Sequence, residues 1–382
     1  MKVLIASDTY EYQISGATNS IIALRNELRE MGHDVRALVL SPNNKSYYKN
    51  GDYYIASKAI PIYPGARFSF KVHDKLIEEI LEWEPDIVHL QSEFSSRILA
   101  NRIIGVLNIP FVTTCHAVYE DYTNYFCPSK KLGRTIVKHC SRKFYNGAKT
   151  LIVPSEKLKK IEKGYGVKCP IEVVPTGISL GNYQKELPER EKRILLAKYG
   201  IRESDKCLVS VSRLAKEKNI DEILKYMPAL VRENEAIKLI LVGDGPNKKR
   251  LVKKVKQMNL QSNVIFIGMV PPEEVYKYYQ LGMVFVSAST SESQGLVYLE
   301  ALASGLPMIC KEDECLDGVL ENSVNGYIFN NEREFVKSVF AIIQDEKKAK
   351  RMGLYSLKRS DEFDVKGFAN KIENIYQRAL SA

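Results

Sequence analysis

The sequence predicts an α/β protein with two Rossmann-like, doubly wound domains facing a cleft. Short apolar runs rich in Val, Ile and Leu alternate with helix-length segments through both halves of the chain, as in parallel strands joined by crossover helices. The length of 382 residues is too great for one ordinary core. A hydrophobic content of 45% is that of a globular protein. We expect the first domain over residues 1–180 and the second over residues 181–364.

The composition points to a cytosolic protein. No run reaches about 18 consecutive apolar residues, so no segment is expected to span a bilayer. The N-terminus becomes polar at Ser7 and Asp8, which is too early for a signal peptide. The seven cysteines include no C-x-x-C pair, which favours reduced thiols and gives no metal site. The five histidines form no H-E-x-x-H motif, and no Walker lysine motif is present.

The chain begins with a predicted strand at 3–6, a loop at 8–18, a helix at about 19–31 and a second strand at 35–40. Gly16 in the loop lets the backbone approach a ligand closely, and the helix behind it adds N–H donors. The loop lacks the G-x-G-x-x-G pattern of dinucleotide sites. A plain strand-to-helix turn is an equally good interpretation of these residues.

Residues 42–70 are predicted to be a long loop, which in a compact domain is usually functional or mobile. Its aromatic residues are Tyr47, Tyr48, Tyr53, Tyr54, Tyr63, Phe68 and Phe70. Aromatic residues mixed with lysines suit an acceptor pocket or a membrane interface. Packing within a local hairpin is the alternative explanation.

A histidine follows one of the next predicted strands, which lie at 86–90, 111–114, 151–155 and 171–175. His116 comes directly after the second of these strands. Rossmann-type sheets place ligand contacts just beyond the carboxyl ends of their strands. A lone histidine is otherwise more often structural than catalytic, so the position alone leaves both roles open.

The whole net charge of +10 lies in one stretch, residues 130–168, where twelve basic residues accompany two acidic ones. Its first part has helical periodicity. Basic residues recur every fourth position on one side, at Lys130, Arg134, Lys138 and Arg142, and Lys131 is a further candidate for the membrane contact. Apolar residues recur on the opposite side, at Leu132, Ile136, Cys140 and Phe144. We expect the apolar side to pack on the sheet.

The basic side has three explanations. Simple solvation is one, but it does not account for so concentrated a charge. Each basic residue near an anionic membrane contributes about 1 kcal/mol, so several of them hold a protein there reversibly. Nucleic acid is the third candidate, but no recognition motif accompanies the patch. We expect an anionic membrane contact and no nucleic acid partner.

The second half begins after a charged segment at 184–193, which is predicted to be a linker. Its strands are predicted at 207–211, 239–242, 264–270, 283–286 and 326–329. Arg213 and Lys218 lie five residues apart on the turn after the first of them. Two such cations converge on one diphosphate, Arg through a fork of donors and Lys as a point charge. A solvated charged loop is the alternative.

The stretch 287–307 combines a strand end, a glycine loop and a helix start. Glu292 and Glu300 have seven residues between them, and a helix is predicted over 296–303 after Gly295. Free N–H groups and the dipole at such a helix start favour a bound phosphate. Glu292 would lie beside whatever the phosphate carries, and Glu300 would reach a sugar hydroxyl. Two surface glutamates beside an ordinary loop are the alternative.

This E-x7-E segment resembles the signature of retaining glycosyltransferases of family 4, which have the GT-B architecture. The family usually has Gly-Phe after the first glutamate. This chain has Ser293 and Gln294, which resemble the diacylglycerol glucosyltransferase branch, and so do His116 and the YEDY run at 119–122. The PTGIS sequence at 175–179 is similar to the family's interdomain turn. The resemblance covers essentially the whole chain.

The resemblance implies a binding site for a nucleotide-sugar donor. Arg213 and Lys218 would clamp the diphosphate. His116 and Glu292 would be the catalytic residues that position the sugar, and neither would be a covalent nucleophile. Further donor contacts would come from Gly16, Met269, Val270, Gln294, Gly295, Leu296, Val297 and Glu300. The helix at 365–382 would cross back to the first domain.

The reaction implied by the resemblance is transfer of α-glucose from UDP-glucose to diacylglycerol or a glucosylated diacylglycerol. It would proceed by same-face attack, with the departing phosphate taking the acceptor's proton. No metal is expected to be obligatory in the active site, and stimulation by Mg²⁺ is compatible with this. Tyr119 and the basic helix would face the acceptor and the membrane. The protein would be cytoplasmic and bound peripherally to the inner face of the cell membrane.

Three alternatives remain. A transferase that acts on a lipid-linked or cell-surface glycan would use the same donor chemistry. A sugar-nucleotide epimerase shares the two-domain architecture but would release a modified nucleotide sugar without an acceptor. A non-catalytic membrane-binding protein would have intact motifs and no turnover.

Overall fold

The computed structural model describes residues 1–13, 15–60, 66–125, 127 and 129–381, without the side chains of Tyr122, Asn124, Tyr125 and Lys130. Tyr63 of the predicted aromatic loop therefore lies outside the described residues. The chain divides into two compact units. The first consists of Met1–Ile178 with Val365–Ala382, and the second of Ser179–Asp364.

The first unit alternates strands and helices. Its elements are β1 Lys2–Ser7, α1 Gly16–Glu30, β2 Asp34–Leu40, β3 Tyr47–Lys49, β4 Asp52–Ile55, β5 Lys58–Ala59, β6 Arg67–Phe68, α2 Lys75–Trp83, β7 Ile87–Leu90, α3 Ser95–Leu107, β8 Phe111–Thr114, α4 Lys130–Tyr145, β9 Leu151–Val153, α5 Glu156–Tyr165 and β10 Ile171–Val173. A 3-10 helix, Tyr119–Tyr125, precedes α4.

The second unit has the same rhythm. Its elements are α6 Leu180–Tyr183, α7 Glu189–Lys198, β11 Lys206–Val211, α8 Ile220–Glu233, β12 Ile237–Val242, α9 Lys248–Gln257, β13 Val264–Gly268, α10 Val275–Tyr279, β14 Val284–Ser287, α11 Leu296–Ala303, β15 Met308–Lys311, β16 Gly326–Phe329, α12 Glu332–Ile343 and α13 Glu346–Ser360. The last helix, α14 Val365–Ser381, belongs to the first unit.

Each unit has one main sheet whose strand order reverses once. In the first unit the order is β10-β9-β8-β7-β1-β2-β4-β3, parallel except for β3 against β4. In the second it is β13-β12-β11-β14-β15-β16, parallel throughout. The order reverses between β1 and β7 and between β11 and β14, where α/β sheets bind ligands. The doubly wound prediction is confirmed.

Helices cover the first sheet, and α14 is one of them. Phe368, Ile372 and Tyr376 are buried in one apolar cluster with Ile5 of β1 and Leu24 of α1. Burying each such side chain contributes about 1.5–3 kcal/mol relative to leaving it exposed. The C-terminal helix is therefore a structural part of the first unit's core.

Two expectations for the first unit are wrong. Helix α1 begins at Gly16 rather than at about residue 19, because the side chain of Ser15 accepts the Thr18 N–H and caps it there. The segment 42–70 is not a plain loop, since it forms β3 to β6. Tyr54 is buried and stacks on Tyr47 at 4.6 Å between ring centroids. The hairpin interpretation is therefore correct for this tyrosine pair.

The expected packing of α4 is wrong for half of its predicted apolar side, since Cys140 and Phe144 are half-buried, with Phe144 against the core, but Leu132 and Ile136 are not. Its buried residues are Gly133, Val137, Ser141 and Tyr145. Leu132 and Ile136 of the predicted apolar side are 55% and 41% exposed. Gly133 explains this choice, because a Cβ there would lie 2.7 Å from the Thr123 Cβ, so the small residue lets the helix approach the 3-10 helix closely.

In the second unit the helices and strands agree more closely with those predicted from the sequence. The predicted bounds of α11 and β16 are those of the structure. The segment 184–193 differs, because half of it forms the start of α7. Glu189 and Glu191 in the first turn of α7 suit the positive end of the helix dipole.

Glycine at position 326 is predicted to be essential for the packing of β16. A Cβ there would lie 2.0 Å from the backbone oxygen of Met308 and 2.8 Å from Leu320. We expect Gly326→Ala to lower the free energy of unfolding by about 1–3 kcal/mol, measured by chemical denaturation.

Gly367→Ala in α14 is the matched control, because nothing lies within 4 Å of the position of its Cβ. That variant should be about as stable as the parent or slightly more so, since alanine favours helices. Equal stability of the Gly326 variant and its parent would contradict the packing argument.

Candidate functional site

The strand-order reversal of the second unit brings two predicted site residues into contact. Lys218 follows β11 and Glu292 follows β14. The Lys218 Nζ lies 2.5 Å from the Glu292 Oε1, and both side chains are mostly buried. Lys218, which is predicted to bind the diphosphate, and Glu292, which is predicted to be catalytic, therefore form one ion pair.

The start of α11 lies directly after Glu292 in the chain. Gly295 caps it with φ +75°, and a Cβ there would lie 2.6 Å from the Tyr298 ring. The N–H groups of Leu296 and Val297 precede the first intrahelical bond, which Tyr298 donates to the Gly295 oxygen. These N–H groups are therefore not used by the helix itself, and their contact with an anion stays a prediction. Gln294 in the same loop is buried.

Arg213 lies on a loop that two glycines support. A Cβ on Gly243 would lie 2.1 Å from the Ser212 oxygen, and one on Gly245 would lie 2.5 Å from the Leu214 oxygen. The loops after β11 and β12 thus pack backbone against backbone. Arg213 is exposed on this support, and its guanidinium forms no hydrogen bond or ion pair within the described part of the chain. It is available for an anionic ligand.

Glu300 is turned toward two tyrosines. Its Oε2 accepts a hydrogen bond of 2.7 Å from the Tyr279 hydroxyl, and Tyr183 of α6 also bonds the carboxyl. Burial raises the pKa of Glu300, and the two tyrosine hydrogen bonds oppose this shift. A sugar contact for Glu300 stays a prediction, and Tyr183 is a partner that the sequence did not reveal.

Two further predicted donor contacts, Met269 and Val270, lie at the end of β13. Met269 is 63% exposed and Val270 is buried. They follow Gly268, whose oxygen accepts a 2.8 Å hydrogen bond from the Gly243 N–H. This bond joins the end of β13 to the glycine loop under Arg213. The two residues therefore lie at the same carboxyl edge of the sheet as Arg213.

In the first unit, His116 lies beyond β8 at the carboxyl edge of the sheet. Its Nε2 donates a 2.6 Å hydrogen bond to the Gln91 Oε1, which fixes the ring tautomer. Gly16 is the exposed first residue of α1 and follows the loop from β1. Ile14 of that loop lies outside the described residues. The ring of His116 is therefore oriented by its hydrogen bond to Gln91.

A second histidine lies behind Gln91. His89 is fully buried, with its Nδ1 2.6 Å from the Tyr376 hydroxyl and its Nε2 2.7 Å from the Thr114 hydroxyl. Burial lowers the pKa of His89 to about 3 and that of His116 to about 4. Both rings are therefore neutral at physiological pH.

Two carboxyl groups complete this edge. Asp8 after β1 accepts the N–H groups of Phe94 and Ser96 at 3.2 and 2.7 Å, and burial raises its pKa. Glu93 after β7 accepts the hydroxyls of Tyr119 and Tyr145. Sequence reasoning missed these carboxyls, although both follow buried strands at their carboxyl ends.

The basic helix α4 has an exposed face of mixed character. Lys131, Lys138 and Arg142 are exposed, as are the apolar Leu132 and Ile136. The predicted residue Arg134 forms an ion pair of 2.8 Å with Glu120, and the side chain of Lys130 lies outside the described part. The exposed surface of α4 thus carries a basic stripe and an exposed apolar pair, and helices that lie in a membrane interface combine these two kinds of residue.

Metal and membrane-spanning features were also sought. Within the described ranges, no group of three or more His, Cys, Asp or Glu side chains is arranged to hold a metal ion. None of the helices described is both long enough and apolar enough to cross a bilayer.

Two family models match the chain, Glycosyltransferase Family 4 over residues 14–182 and Glycosyl transferases group 1 over residues 191–359. The alpha-monoglucosyldiacylglycerol synthase of Streptococcus pneumoniae is 33% identical over 89% of this chain and 77% of that protein. The protein of the same name from Acholeplasma laidlawii is 30% identical over 97% of this chain and 94% of that protein.

Solved structures are similar over the whole chain. Anabaena Alr3699/HepE in complex with UDP-glucose gives a TM-score of 0.78 at 15% identity, covering 99% of this chain and 100% of that one. Sucrose-phosphate synthase from Thermosynechococcus elongatus gives 0.75 at 19% identity, covering 100% and 99%. At such low identity these similarities show the fold alone.

The two histidines of the first unit are predicted to stay neutral in mild acid. An ordinary histidine has a pKa of about 6.5 and is almost fully protonated at pH 5. Because burial lowers the pKa of His89 and His116 to about 3 and 4, their imidazole NMR shifts at pH 5 should be those of neutral rings.

The same spectra in denaturant are the control, where both rings should protonate with ordinary midpoints. Native-state midpoints near the ordinary value would show that burial does not determine the charge of these rings.

Proposed function

The chain belongs to glycosyltransferase family 4, and on that premise we propose that it transfers α-glucose from UDP-glucose to diacylglycerol at the cytoplasmic face of the membrane. The predicted GT-B fold and glycosyltransferase class are confirmed. The donor half of the proposal rests on the Lys218–Glu292 ion pair beside the start of α11. The acceptor half is supported by the match to two monoglucosyldiacylglycerol synthases over most of both chains.

The diphosphate is proposed to bind between the loop after β11 and the start of α11. Arg213 offers a fork of donors, Lys218 a point charge, and α11 its free N–H groups and dipole. These groups face the charge that develops on the diphosphate as the glycosidic bond breaks. Arg213, Lys218 and the start of α11 would thus stabilise the leaving diphosphate. The nucleobase would be read at Met269 and Val270.

The Lys218–Glu292 contact gives each residue a second task. A bound diphosphate would compete with the Glu292 carboxylate for Lys218, because both are anions. Lys218 would then bind phosphate while Glu292 bonds to sugar hydroxyls. Donor binding and placement of the catalytic glutamate would thus be one event. Gln294 and Glu300 are proposed to complete the contacts to the donor.

The sugar is proposed to react with retention. The acceptor hydroxyl attacks from the side of the departing phosphate, and that phosphate takes its proton. His116 is proposed to contact the sugar as a neutral hydrogen-bonding group, which its burial favours. Gly16 at the start of α1 is proposed to add a backbone contact to the donor.

The acceptor side is proposed to be helix α4 with Tyr119. Leu132 and Ile136 would enter the lipid interface while the basic side chains contact anionic headgroups. The protein would then act as a peripheral protein on the inner face of the cell membrane. A glycan transferase would share the donor site, and acceptor analysis separates the two.

Lys218→Met is predicted to remove most glucosyl transfer. With radiolabelled UDP-glucose and mixed micelles of diacylglycerol and anionic phospholipid, the parent protein should label an α-glucosyl lipid. The variant should lose about 100- to 1000-fold in kcat, because a charge that stabilises the leaving group is missing. Chromatography of the lipid product is the measurement.

Lys216→Met is the matched control, since Lys216 is exposed and begins the short 3-10 helix Lys216–Lys218 that ends at Lys218. It should keep nearly all activity. An equal loss in both variants would mean that general charge, not the Lys218 position, matters. If the label stays water-soluble with every donor tested, the acceptor is not diacylglycerol and a glycan transferase becomes the better interpretation.

Replacing Lys131, Lys138 and Arg142 together with glutamine is predicted to release the protein from anionic membranes. Three charges at about 1 kcal/mol each correspond to roughly 100-fold weaker binding. Co-sedimentation with phosphatidylglycerol-containing vesicles measures it, and retained UDP binding checks folding.

A triple glutamine variant of α9 is the control. Lys249, Lys253 and Lys256 are exposed on one face of that helix in the second unit. This variant loses the same charge but should bind vesicles as the parent does. Equal loss in both triple variants would remove α4 as the specific contact.

A further inference from the structure

One buried carboxyl bonds both ends of the proposed membrane-binding segment, which runs from Tyr119 through α4 to Tyr145. The Tyr145 hydroxyl donates to the Glu93 Oε1 at 2.7 Å, and the Tyr119 hydroxyl donates to the other oxygen. Tyr145 is fully buried and Glu93 is 6% exposed. The two tyrosines are far apart in sequence but share this single acceptor.

The membrane-binding segment is itself tightly packed. Gly133 of α4 lies against Thr123 of the 3-10 helix, where a Cβ would lie 2.7 Å from the threonine Cβ. Arg134 and Glu120 join the same two helices by an ion pair of 2.8 Å. A displacement of α4 at a lipid surface would therefore move the 3-10 helix with it.

A second contact holds the C-terminal end of α4. The Arg97 guanidinium donates to the backbone oxygen of Phe144 and lies 5.4 Å from the centre of its ring. Arg97 belongs to α3, which begins just after Glu93. The end of the segment is thus anchored to the loop and helix that follow β7.

A residue of the loop after β7 also hydrogen-bonds His116, which itself follows β8. Gln91, two residues before Glu93, accepts the 2.6 Å hydrogen bond from the His116 Nε2. The Gln91 amide nitrogen lies 3.3 and 3.2 Å from the ring nitrogens of His89, which turns the amide oxygen toward His116. A shift of Glu93 therefore reaches the His116 ring through two residues of backbone and one hydrogen bond.

We propose that Glu93 is a positioning residue that couples contact of α4 with an anionic lipid surface to the placement of His116. This rests on the proposed function, because it assumes that α4 meets the membrane and that His116 contacts the sugar. Glu93 is not among the residues on which the family resemblance rests. Its contacts alone assign it this role.

The coupling depends on the charge of Glu93. The titratable and charged groups that face it are Tyr119, Tyr145, Asp8 after β1, Arg97 of α3, Cys115 after β8 and Glu162 of α5. Burial raises the pKa of Glu93 to about 7, and the nearby Asp8 adds to the shift. An ionised carboxyl accepts both tyrosine hydroxyls in charge-assisted hydrogen bonds, whereas a protonated one accepts from one tyrosine and donates to the other, so both bonds become weaker. The coupling should therefore weaken as the pH falls through about 7.

The test compares lipid stimulation with lipid binding in the full-length protein. Glucosyl transfer to diacylglycerol is measured in micelles with and without phosphatidylglycerol, and vesicle binding is measured separately. Glu93→Gln keeps the size of the side chain but offers one acceptor oxygen. We expect its binding to be unchanged and its stimulation ratio to fall about fivefold or more. The parent's ratio should fall between pH 8 and pH 6, and the variant's should stay flat.

Tyr145→Phe should reproduce part of the loss, because it removes one of the two hydrogen bonds to Glu93. Tyr226→Phe is the matched control, since this buried tyrosine also bonds a carboxyl, that of Glu222 in α8 of the second unit. It should show the parent's ratio and pH profile. Equal loss of vesicle binding and of stimulation in Glu93→Gln would make Glu93 purely structural and overturn the proposal, and so would an unchanged ratio.

A readout without turnover separates this proposal from the proposed function. Anionic phospholipid micelles added to the parent should shift the His116 imidazole resonance, and Glu93→Gln should abolish that shift. If no glucosyl lipid forms but the shift appears and depends on Glu93, the acceptor assignment fails and the coupling stands. No shift in the parent overturns the coupling.

Discussion

In a parallel sheet whose strand order reverses, the loops from the two central strands leave toward opposite faces. The gap between them cannot be covered by the crossover helices, so whatever follows those strands lines an open crevice. In the second unit the crevice is lined by Lys218 after β11 and Glu292 after β14, which meet as an ion pair. In the first unit Asp8 after β1 and Glu93 after β7 take the corresponding positions, and both are buried. Both sets of polar residues follow from the same constraint on the backbone.

Local signals explain which parts of the fold the sequence revealed. The bounds of α11 were predictable because Gly295 must adopt a positive φ and Gly305 ends the helix in the same way. The orientation of α4 was not. Two stripes of residues one position apart both look buried at helical spacing, and the choice between them depends on Gly133 meeting Thr123, a contact absent from any local pattern.

The polar network behind His116 was hidden for a related reason. Each member has a partner that is distant in the chain, as in the pairing of His89 with Tyr376, and a single residue letter carries no information about such a partner. Motif residues such as Arg213 were visible because they stand beside others of the same motif. Supporting residues such as Gln91 and Glu93 became visible only once the strand order was known.

The position of α14 affects how the protein is made. A ribosome releases the strands and helices of the first unit, then the whole second unit, and only then Phe368, Ile372 and Tyr376. At about 5–20 residues per second, the first unit waits roughly ten to forty seconds for the side chains that complete its core. The second unit is continuous in the chain and can finish folding during that wait. Until α14 has emerged, the nascent first unit exposes the apolar surface that this helix covers in the finished fold.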